Sequence, residues 1–337
     1  NSSSYWSAGE QPPSPLQRNL TRRKKTAIVV FDDSPPSCRK KPPQRALASS
    51  RMGYSSDTTG SRQGSQREMH SYHRHPKDAL MYPWSKRTLF LGSLPEPVQV
   101  AYGAATLVVS LGAAIFFSAG KGSVRCHSLV IPAGLSVTID ARSEVVAICH
   151  LDVLGEDYFH ISGCLRNEVE GVGIELREEA DFRAEFIALH SQPASSDDAY
   201  QRLDRLLDYA YANGDSTSSI DGRITQVVAR IRQCFQENLP VGTLAEVAEL
   251  SVPRLVQLFK LQTGVPIRRF RLWHRMYESV ISIGRGENLT TAALDAGFSD
   301  LPHYSNYFCS MWGVPPSRLF GKGMQARIVL PSERDIP

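Results

Sequence analysis

Residues 293–308 read ALDAGFSDLPHYSNYF, and residues 245–259 read AEVAELSVPRLVQLF. The two stretches align at an offset of 48 residues up to the start of the last helix of each copy, and at an offset of 49 residues within that helix. One residue is therefore inserted near the start of the last helix in the second copy. Each copy reads as a short helix, a tight turn and a longer helix, which is typical of a helix-turn-helix. We therefore predict such motifs over residues 243–264 and 290–313.

Several positions in the two copies have a readable structural role. Ser251 and Ser299 are predicted to cap the second helix of each copy through their hydroxyl groups. Gly297 stands at the turn of the second copy, where a left-handed backbone conformation is easily placed. Glu249 stands at the same place in the first copy, which costs conformational strain unless that turn differs.

The repeat resembles the DNA-binding domain of the AraC/XylS family of bacterial transcription regulators. The likeness covers residues 224–320 and includes Leu272–Met276 and Trp312–Ser317, which read LWHRM and WGVPPS. It implies two recognition helices at opposite ends of a long helix over 266–283, entering successive major grooves about 34 Å apart. It also implies a regulator rather than an enzyme, with double-stranded DNA, a small-molecule effector and RNA polymerase as partners.

Counting back from the phenylalanine shared by both copies selects the side chains that would face the DNA. Arg254 and Gln257 lie five and two residues before it in the first copy, and His303 and Asn306 take the same places in the second. Each pair shares a helix face, and Arg can recognise guanine while Gln or Asn can recognise adenine. The alternative is that these are ordinary solvated polar positions. The predicted DNA-binding residues are Ser251, Arg254, Gln257, Lys260, Arg275, Ser299, His303 and Asn306.

The chain departs from the family pattern at Gln257 and Asn306, where such proteins usually carry arginine. Two neutral side chains predict weaker and less salt-dependent DNA binding than the family norm. Four arginines of the connecting helix, at 268, 269, 271 and 275, could restore some positive charge. Arg275 is the best candidate among them, because it lies in the matched run; the alternative is a solvated helix face.

The middle of the chain is predicted to be β-rich, with strands at 87–91, 105–110, 113–118, 127–131, 134–140 and 144–151. Residues 85–190 weakly resemble the cupin-like sensor barrel of the same family, best over His127–Gly134. A metal-binding cupin needs clustered His and Glu side chains, whereas His127, His150 and His160 are scattered. We therefore expect no metal, cofactor or catalytic residue, and a signal-binding or dimerising barrel. The open alternative is a cupin-type enzyme fused to a nucleic-acid-binding module.

Residues 97–120 carry no charged side chain and are apolar enough to raise the alternative of a membrane-tethered regulator. Short runs at 106–109 and 114–117, separated by a turn containing Gly112, favour two buried strands over one membrane helix. Six dispersed cysteines form no CxxC pair, which fits a reduced, cytoplasmic protein better than a structural zinc site or a disulfide scaffold.

Charge and composition separate the ends of the chain from its middle. Residues 1–84 are rich in Ser and Pro and carry 14 basic and 6 acidic side chains, so we expect a disordered basic tail. The tail could be a solvated segment, a nucleic-acid-binding arm, or absent from the native product if translation starts near Met81. His70, His73 and His75 are weak candidates for a metal tract. Residues 85–223 have a net charge of −8, which would keep them off the DNA backbone.

The predicted fold class is therefore α+β and multidomain: the tail, a sensor domain at 85–190, a helical linker at 191–220, and a DNA-binding domain at 221–323. A helix over 197–212 places four apolar side chains on one side: Leu203, Leu206, Leu207 and Ala210. Core packing is the default interpretation of that stripe. Because the family resemblance places a dimer-forming segment here, we also predict a homodimer that uses this helix.

Overall fold

The computed structural model describes residues 78–120, 122–152, 154, 157–211, 220–321 and 325–332. The greater part of the expected tail, with its three histidines, lies outside these residues. The strands are β1 (Asp78–Pro83), β2 (Thr88–Ser93), β3 (Val98–Ala101), β4 (Thr106–Ser110), β5 (Ile115–Ser118), β6 (Val124–Cys126), β7 (Ser128–Ile131), β8 (Ser136–Asp140), β9 (Val145–His150), β10 (Leu165–Val169), β11 (Val172–Leu176) and β12 (Gln325–Ile328).

Three helices belong to the middle region, one between β9 and β10 and two after β11, and the rest belong to the C-terminal region. The helices are α1 (Asp157–Gly163), α2 (Glu179–Ser191), α3 (Ser196–Tyr211), α4 (Gly222–Gln233), α5 (Val241–Val247), α6 (Val252–Thr263), α7 (Ile267–Gly284), α8 (Leu289–Asp295), α9 (Leu301–Trp312) and α10 (Pro316–Leu319). The architecture is thus sheet-rich first and helical afterwards, as predicted.

The strands form two sheets. The larger has the order β10-β11-β7-β4-β9-β2-β1-β12, and the smaller has the order β3-β8-β5-β6. Within the described residues the two sheets face each other across one apolar core and do not close into a barrel. Most neighbouring pairs are antiparallel, but β1 and β12 pair in parallel.

The central strands of the larger sheet, β7, β4, β9 and β2, are buried on both faces, which explains why they read as nearly unbroken apolar runs. In β4, Val108 joins the core between the sheets, whereas Leu107 and Val109 join a second core beneath α1–α3. Successive side chains of a strand point to opposite faces, so both must be apolar when both faces are covered. The uncharged stretch 97–120 accordingly forms β3, β4 and β5. In the described part of the chain no helix is long and apolar enough to cross a membrane.

The stripe on α3 faces the chain's own core, which corrects the predicted dimer interface. Leu203 and Leu207 are fully buried and pack in the core beneath the larger sheet, with Phe182 and Phe186 of α2. Leu206 is half-buried at its edge. The default interpretation of the stripe as core packing was the right one, so these leucines are not available to a second copy.

The first strand begins before the boundary that was predicted between the tail and the sensor domain. β1 begins at Asp78, inside the range 1–84, and Leu80 and Met81 are buried as it pairs with β2. Its other neighbour, β12, lies beyond the expected end of the DNA-binding domain at 323. Both ends of the described chain therefore meet at one edge of the larger sheet. A chain starting at Met81 would lack half of β1.

Candidate DNA interface

The first helix-turn-helix consists of α5, a tight turn and α6. Ala245 is buried where the two helices cross, and Leu255 and Phe259 anchor α6 in the core. Glu249 adopts a left-handed conformation with φ of 53°. The strain expected at this position is therefore present, because a side chain in that conformation clashes with its own backbone.

Ser251 is the N-cap residue of α6, but its hydroxyl makes no capping hydrogen bond. Its predicted role as a side-chain cap is therefore wrong, although its position at the helix start is right. Pro follows within the first turn, where its missing N–H costs nothing. α6 ends at Gly264, which is left-handed with φ of 77°.

The second helix-turn-helix consists of α8, a turn at Gly297 and α9. Gly297 has φ of 83°, so it adopts the same left-handed backbone conformation as Glu249 in the first copy. The cap of α9 is Asp300 and not Ser299: the Asp300 carboxylate accepts a hydrogen bond of 2.7 Å from the His303 backbone N–H. Asp300 is the N-cap counterpart of Ser251 at the longer offset, so the inserted residue lies between Gly297 and the cap.

The predicted recognition residues occupy the outward side of the two helices, with one partial exception. Arg254, Gln257, Lys260, Ser251, Ser299 and Asn306 are exposed. Arg254 donates a hydrogen bond of 3.2 Å from Nη1 to Gln257 Oε1, so these two side chains lie side by side on α6.

His303 is half-buried, because its ring packs edge-on against Phe298 with a centroid distance of 5.4 Å. Ser299 Oγ lies 3.2 Å from His303 Nδ1 and donates to Asp300 Oδ2 at 3.0 Å. Phe298 and Ser299, which also bonds to the cap residue Asp300, thus hold the His303 ring in place at the start of α9. A positioned ring loses less conformational entropy on binding than a free one.

Arg275 lies inside the domain, in the middle of the connecting helix α7. It is half-buried and donates from Nε to Phe235 O at 2.9 Å and from Nη1 to Gly297 O at 2.8 Å. Burial lowers the pKa of its guanidinium from the ordinary value. This geometry favours a structural role, in which Arg275 ties α7 to the turn of the second copy. Of the other arginines on α7, Arg268 is the exposed one.

Two valines on α6 were not among the predicted site residues. Val252 and Val256 are each 42% exposed, on the same helix as Arg254 and Gln257. The selection from sequence counted only polar side chains, so it passed over them. A signal was available, because the buried stripe of α6 runs through Leu255, Leu258 and Phe259. Val256 lies off that stripe, on the open side of the helix.

The sheets contact the helical region at the carboxyl ends of both recognition helices. A Cβ atom on Gly264 would lie 3.3 Å from Ala133 Cβ, and one on Gly313 would lie 2.9 Å from Val98 Cγ2. α9 accordingly packs on β3. The amino-terminal halves of α6 and α9, which carry the exposed polar side chains, point away from this contact.

Trp312 at the end of α9 fills the contact between sheet and helices. Its ring lies 4.9 Å from the His150 ring and 5.9 Å from the Phe90 ring. His150 is fully buried, and its Nδ1 lies 2.8 Å from Thr106 Oγ1. Burial lowers the pKa of His150 to about 3, so its ring is neutral at pH 7. His150 Nε2, Trp312 Nε1 and the neighbouring Tyr102 Oη have no hydrogen-bond partner among the described residues.

The histidines expected to be scattered are indeed apart. His150 faces the helical region, while His160 lies on α1 beneath the other face of the sheet. The described residues contain no group of three or more His, Cys, Asp or Glu side chains that could hold a metal ion. Cys126, Cys149, Cys164, Cys234 and Cys309 form no disulfide bond with one another.

The two copies can now be compared with known proteins. A family model described as "Helix-turn-helix domain" matches residues 244–322, which contain α6–α10 and most of α5. Residues 244–322 are an AraC-type helix-turn-helix domain. This confirms the resemblance that the repeat predicted.

One curated relative of the AraC-type domain is the transcriptional activator RhrA of Rhizobium meliloti (strain 1021), which is 29% identical over 99 residues. The match covers 27% of this chain and 32% of RhrA, so the chain spans about a third of the length of that relative.

Two solved structures are similar over more of the chain. An apo ToxT variant from Vibrio cholerae strain SCE256 aligns with a TM-score of 0.47 and 12% identity, covering 69% of this chain and 96% of ToxT. The AraC-like transcriptional activator CuxR aligns with a TM-score of 0.34 and 10% identity, covering 64% and 83%. Both TM-scores lie below 0.5, so these likenesses do not establish a shared ligand or activity.

Proposed function

We propose that this chain is a sequence-specific regulator of transcription that binds double-stranded DNA with both helix-turn-helix motifs. One observation carries the proposal: both recognition helices end against the sheets and leave their amino-terminal halves exposed, with Arg254 and Gln257 on α6 and Asn306 on α9. In helix-turn-helix proteins the amino-terminal residues of the recognition helix contact base edges in the major groove.

The connecting helix supports simultaneous binding by both copies. α7 has 18 residues, which corresponds to a length of about 27 Å at 1.5 Å per residue. Recognition helices at its two ends suit successive major grooves on one face of the duplex, about 34 Å apart. The proposed half-sites therefore lie about one helical turn apart.

Selection of bound DNA from a random pool tests the proposal directly. The expected result is an enriched site with two half-sites separated by about 10 base pairs. Arg254→Ala and His303→Ala should each cost roughly 1–3 kcal/mol and relax the base preference at one position. Arg125→Ala removes the same charge from an exposed position on β6 and is the matched control. If no sequence is enriched, or both recognition variants bind as tightly as the parent, the proposal is wrong.

Salt dependence tests the neutral residues on the recognition helices. Gln257 and Asn306 are exposed where related proteins usually have arginine. Gln257→Arg should raise affinity and increase the salt slope by about one unit, since each new phosphate contact releases counterions. An unchanged slope would show that position 257 does not approach the DNA backbone.

We infer a sensing role for the sheet-rich region, in the cytoplasm, where DNA and RNA polymerase are within reach. A groove of about 600 Å³ between α2 and α3 is large enough for a small molecule. Its lining includes Asp181, Phe182, Glu185 and Arg202. Isothermal titration of candidate effectors, with and without DNA, tests whether a ligand alters operator affinity. If none of the effectors that alter expression in cells binds the purified chain, this role is wrong.

The homodimer is retained as a proposal without the α3 interface. Two copies on one operator would raise the effective concentration of the second DNA-binding domain, which would offset neutral side chains at 257 and 306. Sedimentation at micromolar concentration, with and without operator DNA, tests it. A monomer under both conditions would exclude the dimer.

A further inference from the structure

The recognition helix of the first copy carries an exposed apolar edge between its buried face and its polar surface. Val252 and Val256 lie four residues apart and therefore share one side of α6. They and Leu294 are the large hydrophobic side chains that the described part of the chain exposes. An isolated exposed apolar side chain needs no explanation, but two neighbours on the helix proposed to enter DNA do.

Nothing in the described chain covers this edge. The buried side of α6 is formed by Leu255, Leu258 and Phe259, which belong to the domain core. The sheets meet α6 at Gly264, which is eight residues beyond Val256 and so about 12 Å further along the helix. The edge therefore stays open while the sheets are docked.

The surroundings of the edge identify what would cover it. Lys260 lies four residues after Val256 and so on the same side of α6, while Gln257 and Arg254 lie further round the exposed surface of the helix. Cationic side chains beside the edge suit the phosphates of DNA rather than an apolar protein surface. The DNA major groove offers one apolar group of its own, the 5-methyl group of thymine.

We propose that Val252 and Val256 read thymine methyl groups in the half-site bound by the first helix-turn-helix. The inference rests on the proposed DNA-binding function and names the bases that one half-site must contain. The valines add base preference beside the polar contacts of Arg254 and Gln257, and they gain affinity without counterion release. The apolar edge of this helix thereby becomes a means of selecting sequence.

The second copy lacks an equivalent edge. At an offset of 49 residues, Leu301 and Ser305 take the places of Val252 and Val256, and both are half-buried. The dependence on thymine methyl groups is therefore expected in one half-site only. This asymmetry gives the experiment an internal control.

Uracil substitution tests the proposal, because uracil pairs like thymine but lacks the 5-methyl group. The DNA is the site selected by the parent protein, and Arg254→Ala identifies the half-site of the first copy by relaxing its base preference. Replacing a contacted thymine there by uracil should weaken parent binding about fourfold, the change that corresponds to exposing one methyl group. The same replacement in the other half-site should leave affinity unchanged.

Val256→Ala should bind thymine and uracil DNA equally well, since the partner of the methyl group is gone. Val252→Ala tests the second position in the same way, and Leu294→Ala, exposed on α8, should keep the parent's response. Thermal unfolding confirms that the variants are folded. Three results would overturn the proposal: a selected half-site without thymine, a parent indifferent to uracil, or a valine variant that keeps the full uracil penalty. A parent that selects no DNA at all would instead reject the proposed function on which this inference rests.

Discussion

The two helix-turn-helix copies share one sequence pattern but have different surroundings. In the first copy, α6 meets the sheets at its last residue and exposes both polar and apolar side chains. In the second, α9 buries its last six residues, and Trp312 sits between His150 and Phe90 of the larger sheet. A repeat can therefore supply one helix that is free to read DNA and another that also holds the domains together.

This difference makes the second copy one route by which the sheets can affect DNA binding. Gly313 and Trp312 lie against β3 and the larger sheet, so a change in sheet position must move the end of α9. Arg275 then connects α9's turn to the middle of α7 through Gly297. The first copy is reached through α7 and through the contact of Gly264 with Ala133.

The largest effect is expected at Trp312. Trp312→Ala should lower the free energy of unfolding by about 3–5 kcal/mol, because it removes a large buried side chain from the contact between sheet and helices. Thr263→Ala is the matched control, since Thr263 holds the same position in the first copy and makes a local hydrogen bond to Phe259 O. Its cost should be about 1 kcal/mol. Urea unfolding of both variants measures the difference, and equal costs would show that the copies are embedded alike.

Acid should weaken the contact of the second copy through His150. Its pKa of about 3 in the folded chain lies below the value of about 6.5 expected when unfolded, so only the unfolded chain takes up the proton between these values. Stability is therefore lost as pH falls below about 6.5, by about 1.4 kcal/mol per pH unit. His274, whose pKa burial lowers to about 4, adds a similar loss elsewhere in the domain.

His150→Leu separates the two contributions. The variant should lose less stability than the parent between pH 6.5 and 4.5, while His274 and all other groups remain the same. Urea unfolding at several pH values gives the two slopes. Parallel slopes would mean that His150 can be protonated in the folded chain, and hence that the contact around Trp312 is open to water.

Local patterns predicted the elements that are set by nearby residues. Six strands, β2, β4, β5, β7, β8 and β9, were predicted where apolar runs ended in clear turns, and the repeat located both helix-turn-helix motifs, whereas the short strands β3 and β6 were missed. β1 and β12 were missed because each is completed by a segment more than 240 residues away in the chain, for example Met81 by Ile328. The short β10, with Arg, Asn and Glu at its centre, offers no apolar pattern at all.

The sequence predicted the polar side chains of the candidate site but not the exposed valines of α6. Arg254, Gln257 and Asn306 are exposed as their spacing required. The role of Arg275 could not be read from sequence, because its acceptors Phe235 O and Gly297 O are backbone atoms of distant segments. The inserted residue likewise hid the true cap, since Ser299 and Asp300 are both good capping residues.

The two turns offer a comparison at smaller scale. Glu249 and Gly297 share a left-handed conformation, which suits glycine and strains every other residue. Glu249→Gly should raise the free energy of unfolding by about 0.5–1 kcal/mol. This is the energy gained by relieving the backbone strain, minus the cost of the greater conformational entropy of glycine in the unfolded chain. Gly297→Ala should lower it by about 1–2 kcal/mol. The new Cβ would also lie 3.1 Å from Arg275 Nε.

Urea unfolding of these two turn variants gives both changes on one scale. Opposite signs are expected, because the first substitution removes a side chain from the strained position and the second adds one. If Glu249→Gly destabilises the chain, the side chain of Glu249 contributes more than the strain of its backbone costs.

The smallest effect is expected at the two helix starts. Asp300→Ala should lower the melting temperature by about 2–4 °C, because the carboxylate that accepts from His303 N–H is lost. Ser251→Ala should leave it nearly unchanged, since the Ser251 hydroxyl makes no capping bond. Differential scanning calorimetry at pH 7 measures both. Equal shifts would show that the two helices are capped alike.

The same cap has a pH dependence of known sign. Hydrogen bonds from the His303 N–H and from Ser299 hold the pKa of Asp300 below its usual value. The unfolded chain then takes up a proton first as pH falls, so the stabilisation is complete above about pH 4 and is lost as pH falls through the folded pKa. Asp300→Asn keeps an acceptor for the His303 N–H but has no charge to titrate. Its melting temperature should therefore stay close to the parent's at pH 7 and fall less steeply towards pH 3. A variant that falls as steeply as the parent would show that the loss of stability in acid comes from a group other than Asp300.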